Sequence, residues 1–318
     1  MARKRASIRG TPQWFVDAIS QPRQEHYVPV ENGNICYQFW KGPADNPSAP
    51  LVLLIHGSGA HRHWWDFIGG ILCKNVNVLA LDLPGMGDSD FYPEYNQQLF
   101  SDALYAATQD ALQRYCDSSQ KPAIYLVGHS MGGSLALNAT LHYPDMAQGL
   151  MIVDTPIRPP DYDYSSHQGS GPIRKIQLYP GRDQILSRFR IVPSQPPIAQ
   201  YIHEYIARYS IRFISKDKGW RWKYDDSIFS SMGKDFTQRH RVLSQPFSCP
   251  ICLIYGTESM LMPEEVVTYM RAQLAQSDQE TEVVPLWGLH HHLLLEEPQD
   301  FAELIVQKVD RWHANIKP

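Results

Sequence analysis

The stretch LVGHSMGGSLALNA, residues 126–139, sets a serine in the pattern G-x-S-x-G. A serine hydroxyl becomes a useful nucleophile only with partners. A base must take its proton, an acid must orient that base, and N–H donors must meet the charge that develops on the substrate oxygen. Ser130 is therefore a candidate nucleophile whose partners have to come from elsewhere in the chain. The pattern alone is weak, but its flanks strengthen it. AIYLV ahead of it reads as a buried strand, and MGGSLALNATLHY behind it reads as a helix. A serine between two such elements sits on a strained turn with its hydroxyl at the top of a sheet. Gly128, Gly132 and Gly133 leave room in that crowded turn, where a Cβ would clash.

The positioning elements follow from the hydrophobic pattern. Alternation in EHYVPV and NICYQFW predicts two early antiparallel strands. From residue 51 onward come short, fully apolar runs: LVLLI, VNVLALD, AIYLVG, GLMIVD, CPICLIYG and TEVVPL. Such runs suit strands buried on both faces of a parallel sheet. Helix-like segments lie between them, at about 63–73, 98–117, 131–142, 263–276 and 298–314. The alternation predicts an α/β fold, a mostly parallel central sheet flanked by helices, with its ligand crevice at the carboxyl ends of the strands.

Residues 156–245 break the rhythm. They carry no buried-strand signal, many prolines at first, and then PPIAQYIHEYIARYSIRFI. There Ile198, Ile202, Tyr205, Ile206 and Tyr209 fall at helical spacing. An inserted helical cap at 156–245 is expected, with the core formed by 1–155 and 246–318. The insertion holds 15 Lys and Arg against 8 Asp and Glu, a net +7 in a chain of net −4, so the remainder carries −11. Docking of the cap on an acidic core by charge complementarity is the preferred reading of that asymmetry, ahead of steering of an anionic substrate.

Bulk composition bounds the rest. The 318 residues are 43% hydrophobic and 19% charged, an ordinary soluble globular composition with no global charge suited to nucleic acid. The basic start MARKR is not followed by an apolar stretch of signal-peptide length, and no apolar run approaches the roughly 18 residues of a membrane span. A cytoplasmic protein with no membrane partner is expected, and a homodimer is compatible with this. The five cysteines are an odd count that argues against a disulfide framework. Cys249 and Cys252 form a C-x-x-C, but they lead into an apolar strand-like run rather than a helix, so a buried structural role is expected.

LIHGSGAHRHWWD, LDLPGMGDSD, VGHSMGG and GLHHHLLLEEPQDFAELI appear in the order and spacing of the α/β-hydrolase superfamily, which the chain resembles over about residues 26–155 and 248–315. GWRWKYD at 219–225 and the basic cap helix are similar to the capped, serine-hydrolase-like esterases of that superfamily. The resemblance implies an oxyanion site made by the N–H groups of Met131 and Ser58, with His56 holding the loop. It implies a late histidine as base. Among the three in WGLHHHLLLEEP, the family spacing selects His291 ahead of His292 and His290. The usual acid position after YGTE is occupied by Ser259, a departure from the pattern. Two carboxylates can replace it. Asp154 ends GLMIVD, a strand expected about 4.8 Å from CPICLIYG, and some superfamily members keep their acid there. Glu258, one residue before the usual slot, is the alternative. A metal is not expected, because consecutive side chains diverge on an extended loop and no carboxylate or cysteine pattern accompanies the three histidines.

Asp82, Asp88 and Ser89 are expected to organise a turn. Trp64, Trp65 and Trp287 flank the oxyanion and histidine segments, where they either line the pocket or belong to the core. Tyr205, Tyr209 and Trp222 of the cap face the same choice between acyl pocket and packing. Together these residues lead to a capped serine hydrolase that cleaves carboxylic esters, or lactones or thioesters, through an acyl-enzyme on Ser130. It would take a small acyl substrate and no cofactor. A nucleophilic aspartate is excluded because residue 130 is serine. The competing readings are a C–C bond hydrolase or lyase on the same fold, and a non-catalytic ligand-binding receptor.

Overall fold

The computed structural model describes residues 10–46, 48–116, 121–163, 177–232 and 239–316. The chain opens with helix α1 (Gln13–Ile19) and a hairpin of β1 (Gln24–Val30) and β2 (Gly33–Trp40). Then come β3 (Leu51–Ile55), a 3-10 turn at Arg62–Trp65, α2 (Asp66–Leu72), β4 (Asn77–Leu81), α3 (Gln97–Tyr115), β5 (Ile124–His129), α4 (Met131–His142) and β6 (Gly149–Val153). The inserted segment contributes α5 (Arg182–Leu186), α6 (Gln200–Tyr209), β7 (Ile211–Ser215), β8 (Gly219–Trp222) and α7 (Ser227–Ser231). The chain ends with β9 (Ile251–Gly256), α8 (Glu264–Leu274), β10 (Thr281–Leu286), α9 (Leu293–Glu296) and α10 (Pro298–Ala314).

Eight strands form one sheet in the order β1-β2-β4-β3-β5-β6-β9-β10. The pairings β1–β2 and β2–β4 are antiparallel, and all the others are parallel. The apolar runs explain this. In β3, Leu51, Leu53 and Ile55 join the core under α3 and α4, while Val52 and Leu54 join the core under α2 and α10. Each such side chain, fully withdrawn from water, contributes about 1.5–3 kcal/mol. The two edge strands each carry a proline, Pro29 in β1 and Pro285 in β10, where a missing N–H is tolerated. Helix α3 starts at Asn96, whose side chain accepts from Leu99 N–H at 2.9 Å. Helix α10 starts with Pro298, whose missing N–H would be unpaired there anyway.

The insertion differs from the expected helical cap. The helical spacing that ends at Tyr209 becomes α6, capped by Ser210, and IRFIS then continues as β7, antiparallel to β8. Ile211, Phe213 and Ile214 favour extended backbone, and the Phe213 ring lies 5.4 Å from Trp220 across the pair. The described part of 156–245 is thus helices plus a two-stranded hairpin. It is clasped to the core by polar contacts. The Tyr205 hydroxyl donates to Asp66 at 2.5 Å, His61 donates to Ser210 Oγ at 2.9 Å, and Tyr95 donates to Asp225 at 2.9 Å. Lys223 lies 2.6 Å from Asp88, with Arg212 at 4.0 Å from the same carboxylate, so cap cations do meet a core acid.

Candidate active site

Strand β5 ends at His129 and α4 begins at Met131, which leaves Ser130 alone in the turn. Its φ of 56° and ψ of −121° are a backbone conformation that L residues rarely adopt. The Ser130 N–H donates to Val153 O at 2.8 Å, which ties the turn to β6. The glycines permit the approach of three backbones. A Cβ on Gly128 would lie 2.5 Å from Gly132 O, and one on Gly132 would lie 2.5 Å from His56 O. The loop after β3 packs on the same turn, where a Cβ on Gly57 would come within 3.1 Å of Ser130 Cβ. Ser58 therefore stands on the loop beside the turn, and Met131 supplies a first-turn helix N–H that lacks an intrahelical partner. His56 holds that loop. Its Nδ1–H donates to Gly57 O at 2.7 Å, and Nε2 accepts from Leu83 N–H at 3.0 Å. With both ring nitrogens engaged, it has no site left for a substrate proton.

Asp154 follows β6 directly and is the second strained residue of the site, with φ 45°. Strain of this kind costs about 1–3 kcal/mol and persists only where the surroundings over-determine it. Asp154 N–H donates to Ile254 O at 2.7 Å, and the side chain is fully buried. Its Oδ2 accepts from His291 Nδ1–H at 2.6 Å and from Ser259 Oγ–H at 2.6 Å, while Oδ1 accepts from Gly256 N–H at 3.0 Å. Three donors on a buried carboxylate satisfy the charge that burial would otherwise disfavour. Ser259, the departure from the family pattern, thus sits against the carboxylate that the neighbouring strand supplies. Glu258 is exposed, held through its backbone N–H to Leu289 O at 2.9 Å.

The three consecutive histidines separate in role. His290 bonds Glu296 through Nδ1 at 3.0 Å. His291 meets Asp154, and its fixed Nδ1–H leaves Nε2 as a lone pair. His292 donates Nε2–H to Val192 O of the insertion at 3.0 Å. His129, the variable residue of G-x-S-x-G and without a signal of its own in the sequence, donates Nε2–H to His291 O at 2.9 Å. Burial, helped by the nearby His291, pushes His129 and His292 well below the ordinary histidine range, so both stay neutral. Among the described residues, no hydrogen bond joins the Ser130 hydroxyl to His291. Such a link often tightens only when substrate is bound.

The aromatic candidates divide as well. Trp64 lies beside His292, with ring centroids 5.3 Å apart. Trp65 is fully buried in the core, and Trp287 is 82% exposed. Tyr205 is spent on Asp66, Tyr209 stacks on His63 at 3.9 Å, and Trp222 packs near Phe189. Asp82 organises the turn as expected, accepting from Arg62 N–H at 2.6 Å and Asp88 N–H at 2.8 Å, while Ser89 Oγ donates to Asp82 O at 2.6 Å. Burial pushes the Cys249 and Cys252 thiols up to about 12, so neither is a thiolate at neutral pH.

The model of the alpha/beta hydrolase family matches residues 52–304, a span that contains the serine turn, Asp154 and His291. The chain belongs to the alpha/beta hydrolase family. Among curated relatives of this alpha/beta hydrolase, the human (lyso)-N-acylphosphatidylethanolamine lipase is 22% identical over 303 residues, covering 89% of this chain and 86% of that one. The mouse monoacylglycerol lipase ABHD6 is 24% identical over 310 residues, covering 89% and 81%. The yeast (Saccharomyces cerevisiae) peroxisomal alpha-beta-hydrolase Lpx1 superposes with a TM-score of 0.70 at 15% identity, covering 93% of this chain and 90% of that structure, a likeness of fold. No described helix of this alpha/beta hydrolase is long and apolar enough to cross a membrane.

Proposed function

We propose that this alpha/beta hydrolase cleaves carboxylic esters through an acyl-enzyme on Ser130. The carrying observation is the pairing of His291 Nδ1 with the buried Asp154 carboxylate at 2.6 Å, beside a strained serine turn. In this reading Ser130 Oγ attacks the ester carbonyl carbon while His291 Nε2 takes the hydroxyl proton. The negative charge on the former carbonyl oxygen meets the N–H groups of Met131 and Ser58. Collapse expels the alcohol, which takes the proton from His291, and leaves the acyl group on Ser130. Water, deprotonated by the same imidazole, then releases the acid. Asp154 keeps the proton on Nδ1 and stabilises the imidazolium, and Ser259 steadies that carboxylate. Trp64, buried beside His292, is the aromatic candidate that remains next to the histidines. The lipase names of relatives matched over most of their length support an acyl ester as substrate.

The test is labelling with a fluorophosphonate, mass spectrometry of the modified peptide, and turnover of p-nitrophenyl esters. A single adduct on Ser130 with ester turnover is expected. Label elsewhere, or none on folded protein, would overturn the reading. A substrate panel that turned over C–C bonds and left esters intact would move the chemistry to that alternative.

A further inference from the structure

His129, His291 and His292 are each buried, and a ring nitrogen of each lies within 4.8 Å of the other two. The rings are 4.6, 4.7 and 5.4 Å apart between centroids. The hydrogen bonds decide which nitrogens are bare. His129 and His292 give Nε2–H to the carbonyls of His291 and Val192, and His291 gives Nδ1–H to Asp154. Each imidazole is left with one lone pair: Nδ1 of His129, Nε2 of His291 and Nδ1 of His292. The Nδ1 of His292 is buried with no partner. A buried acceptor without a donor is uncommon, and it points to something that binds there.

We propose that the three lone pairs form an inhibitory site for a borderline transition-metal cation such as zinc, cobalt or copper. Three features carry the assignment. The donor set is all imidazole, which suits those ions and not magnesium or calcium. Each ring already has the outer support typical of a metal-ligating histidine, a backbone carbonyl or carboxylate on its other N–H. The spacing is within reach. A tetrahedral zinc with Zn–N bonds of 2.0–2.1 Å needs nitrogens about 3.3 Å apart, so rings that each bring a nitrogen within 4.8 Å of the others must turn and close by up to about 1.5 Å. The expected divergence of consecutive histidines holds for His290, which turns to Glu296. It fails for the other two because the chain turns at 291–292 into α9, and His129 comes in from β5. The consequence for the reaction rests on the function proposed above. A metal on His291 Nε2 occupies the lone pair that must take the Ser130 proton, so metal and turnover exclude each other.

The experiment uses the full chain freed of metal with EDTA and titrates it with Zn²⁺ by calorimetry and with Co²⁺ by visible absorption, beside ester turnover. One equivalent is expected to bind both the unaltered chain and Ser130→Ala, with a tetrahedral cobalt spectrum. Turnover should fall in step with occupancy, to about a tenth at tenfold excess over Kd, and return with EDTA. His292→Gln keeps an N–H donor for Val192 O and should weaken Zn²⁺ at least tenfold, with inhibition weakened equally. If that variant does not fold, His129→Gln serves in its place. No stoichiometric binding to folded protein, or binding indifferent to these substitutions, overturns the proposal. Full binding in a chain that turns over no ester supports the metal site and removes the hydrolase reading, so the two failures are separable.

Discussion

At the scale of single residues, the site turns on one carboxylate with three donors. Asp154→Asn keeps the shape but removes the charge and disturbs the tautomer of His291, so kcat is expected to fall by about 10⁴. Glu258→Gln, on an exposed residue, should change kcat by less than about threefold. Steady-state kinetics on one ester compares the two, and equal losses would remove Asp154 from its role. Ser259→Ala takes away one hydrogen bond to a charged oxygen, worth about 1.5–3 kcal/mol, and is expected to cost at least tenfold in kcat. Ser130→Ala should leave the melting temperature near that of the unaltered chain and abolish turnover. Retained turnover in that variant would mean that the serine is a packing residue.

The elements place these residues by strand geometry more than by local contacts. Ser130 follows β5 and Asp154 follows β6, adjacent parallel strands, and the loop after β9 brings Ser259 against the end of β6. Chain segments more than a hundred residues apart thereby meet at the carboxyl ends of the central strands. The turn between β5 and α4 has no spare volume. Gly132→Ala sets a methyl group 2.5 Å from a backbone oxygen, a contact that only movement of β3 or α4 relieves. It is expected to destabilise the fold by about 1–3 kcal/mol or more, read by urea unfolding, and to lower activity beyond the loss of folded protein. Unchanged stability would show that the strands can part at this point.

Across the whole molecule, the insertion is tied to the core through buried charges. Burial alone would raise the Asp66 carboxyl. His63, Arg23 and the Tyr205 hydroxyl outweigh it and hold the group at about 2. A carboxyl held below its unfolded value of about 3.9 contributes stability above that value, lost as pH falls through it toward 2. The contribution is roughly 2 kcal/mol, from the size of that shift. Tyr205→Phe, which removes one of the donors, should therefore lower stability at neutral pH and flatten the acid limb between about pH 4 and 2. Thermal melts of both chains across that range measure it, and identical limbs would place the acid sensitivity elsewhere.

The sequence by itself determined the class of fold and the serine turn. Apolar runs buried on both faces and helical spacing are local patterns, and the helices expected at 131–142 and 298–314 lie where the structure has them. Glycine at 128 and 132 likewise records a steric demand in the residue itself. Three arrangements appear only in the tertiary structure. Which carboxylate reaches His291 depends on which strand lies beside which, a fact about register that no local pattern holds, so the sequence leaves Asp154 and Glu258 both open. The hairpin at 211–222 lies inside an insertion expected to be helical, because isoleucine and phenylalanine suit both helix and strand until a partner strand is present. His129 carried no signal at all, since a variable position in a motif gains meaning only when two distant histidines arrive beside it.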